Sequence, residues 1–142
     1  MAKHRQKHLF PELDEITASI LAGRSQDLVG LFVPSHDKNQ ETIPNQDQWA
    51  TAALQLFAEL YRGATGFETF AGVYRDSDGT ILYDKPIMIQ AYVNREDMVD
   101  TGKLKELLDF CKRMGRETDQ AAVGLIVNHV FFEIRRFGKE ST

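Results

Sequence analysis

The sequence predicts an α+β domain of the ferredoxin-like type, with an extra N-terminal helix and a protruding β-hairpin. The 142 residues suffice for one hydrophobic core, and two segments have the apolar periodicity of amphipathic helices. Apolar β runs precede, separate and follow these two segments. After the first short helix the order is therefore β-α-β-β-α-β, a split βαβ unit with both long helices on one face of a single sheet.

The N-terminal third contains a short helical pattern, a β run and a polar segment. Residues 11–22 predict a helix, because Pro11 suits its first position and Gly23 can end it. Residues 28–33 form a compact β run, and residues 35–47 are polar throughout. A polar loop of that length inside one domain is either mobile or functional.

Two longer helices are predicted over residues 46–62 and 101–114. The first has one wide apolar face and is expected to end at Gly63. The second begins after Asp100, a favourable N-cap, and is expected to end at Gly115. The side chains expected to face inward from the second helix are Leu104, Leu107, Leu108, Cys111 and Met114.

The remaining β runs cover residues 67–75, 81–93 and 121–134. An Asp-Gly pair between the first two predicts a hairpin arm over residues 74–84. Pro86 cannot donate to a β ladder, so we expect a break there, with residues 87–93 in the main sheet. The last run is apolar on both faces and is predicted to be one strand.

The apolar character of both strand faces raises the question of what covers the sheet. Two helices cover one face only, and a bare apolar face of several hundred Å² is rare on monomers. Three covers are possible: the helix over residues 11–22, a second copy of the chain, or a ligand.

The net charge of 17 − 21 = −4 hides an acidic body between basic ends. Residues 1–10 and 135–142 are predicted to be flexible basic tails, and residues 11–134 a single domain. Residues 9–134 contain 11 basic and 20 acidic residues, so that 11 − 20 = −9. Any nucleic acid would therefore contact the tails, in a salt-sensitive way. The basic residues available for this contact are Lys3, Arg5, Lys7, Arg135 and Arg136.

The cysteine count and the apolar runs bear on the compartment. A single cysteine, Cys111, excludes a disulfide framework within one chain and is expected to be buried in the core. No apolar run approaches the roughly 18 residues of a membrane span, and no apolar stretch follows the basic start. We expect a cytoplasmic protein with no membrane partner.

No metal or cofactor is expected from the motifs. The segment from Asp76 to Gly79 resembles a calcium loop, but the first and twelfth ligands would be Tyr74 and Lys85. A hairpin turn explains it better. His4 and His8 stand among basic residues, which oppose a divalent cation. Neither a glycine-rich phosphate loop nor a nucleophile elbow is present.

Candidate site residues are few. His129 lies in the predicted last strand, either as a hydrogen-bonded polar residue or as a general base or ligand contact. The catalytic candidates are His129, Tyr92 and Trp49. The arm residues could contact a phosphate, a base or a protein, or could be ordinary cross-strand pairs. The binding candidates are Tyr74, Arg75, Tyr83, Lys85, Asn128, Phe131 and Phe132.

Three functions are compatible with these patterns. The leading hypothesis is a non-enzymatic binding or assembly protein, homodimeric through an apolar sheet face, with a protein or small molecule as a further partner. The second is a small cofactor-independent enzyme with a cavity between sheet and helices, which resembles small α+β barrel oxygenases and isomerases in architecture alone. The third is association with nucleic acid through the basic tails.

Overall fold

The computed structural model describes Ser25 and residues 27–138, and the predicted helix over residues 11–22 lies outside this part. The described residues form a five-stranded sheet, a two-stranded hairpin and three helices. The strands are β1 Asp27–Val33, β2 Thr65–Glu68, β3 Gly72–Arg75, β4 Ile81–Asp84, β5 Ile87–Val93, β6 Val123–Val127 and β7 Val130–Ile134. The helices are α1 Gln46–Tyr61, α2 Arg95–Met98 and α3 Thr101–Glu117.

The main sheet has the strand order β2-β5-β1-β6-β7, and all of its pairs are antiparallel. The α+β class predicted from the sequence is therefore confirmed. β1 lies at the centre and pairs with β5 over its full length, from Asp27 opposite Val93 to Val33 opposite Ile87. β2 is shorter and pairs only with residues 87–90 of β5.

The core lies between one face of this sheet and the two long helices. Side chains alternate across a strand, so every second residue of β1, β5 and β6 points to the helices. These alternate residues are almost fully buried, as are the facing residues of α1 and α3. The strand residues are Val29, Leu31, Val33, Ile89, Ala91, Val93, Val123 and Leu125, and the helix residues include Ala53, Phe57, Leu107, Cys111 and Met114.

Helix α1 ends at a different residue from the one predicted. The sequence predicts Gly63 as the stop, but Arg62 adopts the left-handed conformation, with φ 77°. The Arg62 N–H donates to the carbonyl of Ala58 at 2.8 Å and so satisfies one of the terminal carbonyl groups. Gly63 therefore follows the cap instead of forming it.

Helix α3 starts as predicted and runs further than predicted. The Asp100 carboxylate accepts from two main-chain N–H groups of the first turn, at 2.9 and 3.2 Å. The expected end at Gly115 is wrong, because this glycine lies inside the helix against Phe137. A Cβ there would come within 2.4 Å of that ring. Leu104, predicted to face inward, is 39% exposed.

The predicted strand over residues 67–75 divides into β2 and β3. The break follows Thr69, whose N–H and hydroxyl both donate to the carbonyl of Pro86, at 3.3 and 2.7 Å. The break predicted at Pro86 separates β4 from β5. The hairpin arm is present as β3 and β4, with Gly79 in its turn at φ 90°.

The predicted single strand over residues 121–134 is wrong. It is a hairpin, β6 and β7, joined by Asn128 and His129. Asn128 adopts the left-handed conformation at φ 56°, which asparagine tolerates in tight turns. Its side-chain oxygen accepts from the Leu28 N–H at 2.8 Å, and this bond fixes the turn against β1.

No helix within residues 27–138 is long and apolar enough to cross a membrane.

We predict that Asp100→Ala lowers the free energy of unfolding by about 1 kcal/mol, because two N–H groups of α3 lose their acceptor. Urea denaturation measures this loss. Asp109→Ala is the control: it removes an exposed ion pair with Lys105 on the same helix, worth about 0.3 kcal/mol. Equal losses in the two variants would contradict the capping role.

Candidate functional site

A cavity of about 410 Å³ lies at the edge of the sheet, between the C-terminal end of α1 and the first residue of β2. Its volume is in the range of pockets that hold small molecules. The described residues that line it are Ser25, Tyr61, Arg62, Gly63, Ala64, Thr65, Gln90, Ala91, Tyr92 and Asn94. We call this cavity the notch.

The notch exists because β5 extends beyond its edge partner. β2 begins with Thr65 opposite Gln90, so no strand among residues 27–138 lies beside residues 91–93 of β5 on that side. On the other side they pair with β1 through its first residues, 27–29. Unpaired main-chain groups at a sheet edge are ready to bind another molecule.

The main chain of Tyr92 faces the notch. Thr69 N–H donates to the Pro86 carbonyl, which shows that residue 86 directs its carbonyl toward the β2 side. Orientation alternates along a strand, so Tyr92 does the same. Consistently, Leu28, the residue opposite Tyr92, directs both of its main-chain groups to Asn128 instead of to β5.

Neutral polar and aromatic side chains surround this main-chain edge. Tyr92, Gln90 and Thr65 lie on the sheet face away from the helices, by the register of β5 and β2. Tyr92 is 68% exposed. Tyr61 lies on the helix side, almost buried, with its ring edge-on to Phe57 at 5.8 Å between centroids. The notch therefore combines aromatic faces with amide and hydroxyl groups.

A carboxylate lies behind the Tyr61 wall. Burial raises the pKa of Tyr61, and the charges of Asp97 and Asp100 raise it further, so its phenol is protonated at neutral pH. Asp97 is itself buried and accepts a hydrogen bond from the Lys103 ammonium. This bond lowers the pKa of Asp97 and keeps it ionised. The Arg62 guanidinium is 3.8 Å from its other oxygen.

A second buried carboxylate anchors the strand that supports the notch. Asp27, 2% exposed, accepts from the Asn128 side chain at 3.0 Å and pairs with Arg95 at 3.0 Å. These bonds join the start of β1 to the β6–β7 turn and to α2. Because Asp27 lies opposite Val93, they also fix the end of β5.

The catalytic candidates from the sequence are not brought together. Tyr92 lines the notch. Trp49 is buried between α1 and α3, edge-on to Phe110 at 5.6 Å, with the Arg113 guanidinium over its ring. His129 is exposed in the β6–β7 turn, so the expectation that it lies within a strand is wrong. Their catalytic roles stay predictions.

The binding candidates also occupy separate places. Phe131 lies on the sheet face away from the helices, edge-on to Phe32 at 6.2 Å, whereas its neighbour Phe132 lies on the opposite face. Both are about half exposed. Asn128 has the structural role described above. The remaining candidates, Tyr74, Arg75, Tyr83 and Lys85, lie on or beside the arm.

The tails give the nucleic-acid hypothesis no further support. Arg135 pairs with Glu133 at 3.0 Å, and Arg136 is exposed. Lys3, Arg5 and Lys7 lie outside the described residues, so this hypothesis stays a prediction.

Sequence reasoning missed a cluster at the base of the arm. The Ser35 hydroxyl donates to Asp84 at 2.5 Å and lies 2.7 Å from Nδ1 of His36. It also accepts from the Lys85 N–H at 2.8 Å. The serine lies between the imidazole and the carboxylate, and its hydroxyl donates to the carboxylate. In a nucleophilic triad the imidazole lies between the other two groups, so this cluster has a structural role.

Neither a metal nor a reactive thiol is indicated within residues 27–138. No group of three metal-ligating side chains occurs there. Cys111 is fully buried, as predicted, and burial raises its pKa to about 12, so it is an unreactive thiol.

Comparison with known proteins shows a structural likeness only. No protein-family model and no curated protein matches the chain. The fold matches a phage SAM lyase in complex with S-methyl-5'-thioadenosine, with a TM-score of 0.56 at 18% identity, covering 83% of this chain and 95% of that chain. The apo state of a phage SAM lyase gives a TM-score of 0.55 at 17% identity, covering 84% and 96%.

These matches overturn the leading hypothesis from the sequence. The expected non-enzymatic role is wrong, because the two solved structures reported above are those of an enzyme. The homodimer stays a prediction. The apolar residues on both strand faces indicated an interface with another chain and so favoured a binding protein. The notch is lined by short, mostly neutral segments that form no recognisable motif in the sequence.

We predict that Lys103→Met destabilises the protein at neutral pH and that the effect fades in acid. The folded-state pKa of Asp97 lies below its ordinary value of 3.8 because of Lys103. The contribution of Lys103 is therefore complete above that value and is lost as the pH falls through the folded-state pKa.

Urea denaturation at about pH 7 and about pH 3.5 measures this difference. The control is Lys105→Met, whose exposed partner is Asp109, and it should change stability little at either pH. A loss in Lys103→Met that is as large in acid as at neutral pH would contradict the prediction.

Proposed function

We propose that this protein binds S-adenosylmethionine in the notch and cleaves it as a lyase, with S-methyl-5'-thioadenosine as one product. The observation that carries the proposal is the fold match to phage SAM lyase, which extends over 83% of this chain and 95% of that one. Fold alone does not fix function, so the argument also needs a site with suitable chemistry.

We propose further that the sheet is ferredoxin-like. The order β2-β5-β1-β6 supports this, with α1 connecting β1 to β2 and α3 connecting β5 to β6. The β3–β4 arm is then an insertion and β7 an added edge strand. In this architecture the notch lies at the outer edge, where β5 extends beyond the first residue of β2.

The main chain of Tyr92 suits an adenine base. Adenine has a donor, its amino group, beside a ring-nitrogen acceptor, and the N–H and carbonyl of one extended residue can bind both. The exposed Tyr92 ring offers a stacking surface close to that edge. Gln90, Thr65 and Asn94 add amide and hydroxyl groups that suit ribose hydroxyls.

The surroundings of the notch suit a sulfonium ion. A cation is attracted to aromatic faces, and Tyr61 and Tyr92 both line the cavity. Cleavage breaks the bond between sulfur and Cγ of the methionine chain. An oxygen of the substrate's own carboxylate forms the new bond to Cγ and closes a five-membered lactone, and the electron pair of the broken bond goes to sulfur. The thioether product is neutral and loses this attraction.

Incubation of the purified full chain with S-adenosylmethionine tests the proposal. We expect S-methyl-5'-thioadenosine to accumulate, measured by liquid chromatography with mass detection and corrected for spontaneous decay without protein. The protein with a carboxylate removed from the surface, as in Asp109→Ala, should be as active as wild type. A rate equal to the protein-free rate would refute lyase activity.

We predict that Tyr92→Ala weakens the binding of S-methyl-5'-thioadenosine about 10- to 100-fold, because the base loses its stacking ring. Isothermal titration calorimetry measures the affinity. Tyr83→Ala is the matched control, since Tyr83 is 61% exposed, compared with 68% for Tyr92, and lies on the arm. Loss of affinity in both variants would place the ligand elsewhere.

A further inference from the structure

Arg62 occupies a backbone position that normally selects glycine. Its φ of 77° is left-handed, which is uncommon and unfavourable for a residue with a long side chain. The next residue is Gly63. If the helix ended one residue later, this glycine would take the left-handed position and the strain would be absent. Strain kept in this way is often retained for the sake of a binding site.

The Arg62 side chain is also the one charged group among the described residues that line the notch. The other nine are neutral, so these ten residues together present a positive charge. The guanidinium is 78% exposed and holds its Nε 3.8 Å from Asp97 Oδ2. At this distance the two groups form an ion pair without a hydrogen bond. The guanidinium has several N–H donors in a planar fork.

We propose that Arg62 binds the α-carboxylate of the ligand, and that the notch therefore selects nucleosides that carry an amino-acid chain. This rests on the proposed function, since it assigns the second half of the same ligand. The adenosine end lies along Tyr92, and the methionine end extends to Arg62 at the end of α1. A planar, bidentate guanidinium is the group best suited to a carboxylate.

Asp97 and Arg62 have different roles in the site. The carboxylate of Asp97 is buried and already bonded to Lys103, so it is not available to a ligand directly. Arg62 is exposed and is in contact with it. Arg62 is accordingly a specificity-determining residue, which distinguishes a ligand with a carboxylate from the thioether product without one.

The test compares two neutral thioethers that differ in the amino-acid chain. S-adenosylhomocysteine has it, S-methyl-5'-thioadenosine lacks it, and neither has a sulfonium to cleave. In Arg62→Gly we expect the affinity for S-adenosylhomocysteine to fall about 10- to 100-fold, the loss typical of a charge-assisted bond. Affinity for S-methyl-5'-thioadenosine should stay unchanged, and Arg62→Lys should recover part of the loss.

Thermal unfolding separates this role from a structural one. Glycine is favoured at the left-handed position, so the midpoint of Arg62→Gly should not fall. Asp119→Gly is the matched control, because Asp119 also has a left-handed φ, 54°, after α3 and does not line the notch. It should bind both ligands as wild type does.

Two results would overturn the proposal. Equal weakening of both ligands, or of neither, in Arg62→Gly would show that Arg62 does not read the carboxylate, while the proposed function stood. Wild-type protein that binds neither ligand would refute the proposed function itself, and the role of Arg62 with it.

Discussion

The difference in length between β5 and its edge partner β2 is the constraint on which the site depends. Seven residues of β5 pair with β1, but only four pair with β2. A buried or half-buried main chain must find hydrogen-bond partners, and beyond Gln90 no described strand supplies them on that side. The chain from α1 reaches this place through Arg62, in a conformation that turns it sharply into β2. A missing strand segment and a helix terminus thus produce one cavity.

The buried charges around this cavity mainly form ion pairs and hydrogen bonds between secondary-structure elements. Asp27 joins β1, the β6–β7 turn and α2 through Asn128 and Arg95. Asp97 joins α2 to α3 through Lys103. Removing one partner of such a bond leaves a buried charge uncompensated, which costs more than the bond contributes. The notch is consequently built on elements that hold their positions, as a ligand site requires.

Periodicity made most of the fold predictable, and exceptions to it account for what was missed. The two long helices, the Asp100 cap and the break at Pro86 follow from local chemistry that acts within a few residues. The β6–β7 turn was missed because apolar residues on both sides conceal two polar residues, Asn128 and His129. Helix α1 ends at Arg62, whose N–H donates to the carbonyl of Ala58 in the last turn. Of the site, only Tyr92 was predicted, since the notch depends on register and on main-chain groups that no motif records.

The acidic residues of the chain and Arg62 act on a cationic ligand at different distances. Residues 9–134 have a net charge of −9, which attracts a cation over distances set by the ionic strength. S-adenosylmethionine, the substrate proposed above, carries a net positive charge. An acidic body would favour its approach, and a neutral thioether product would gain nothing from the same field. At contact distance the sign is reversed, because Arg62 is the charged group among the described residues that line the notch. A long-range field of one sign and a local donor of the other can attract a sulfonium and still orient its carboxylate. Neither feature does both alone.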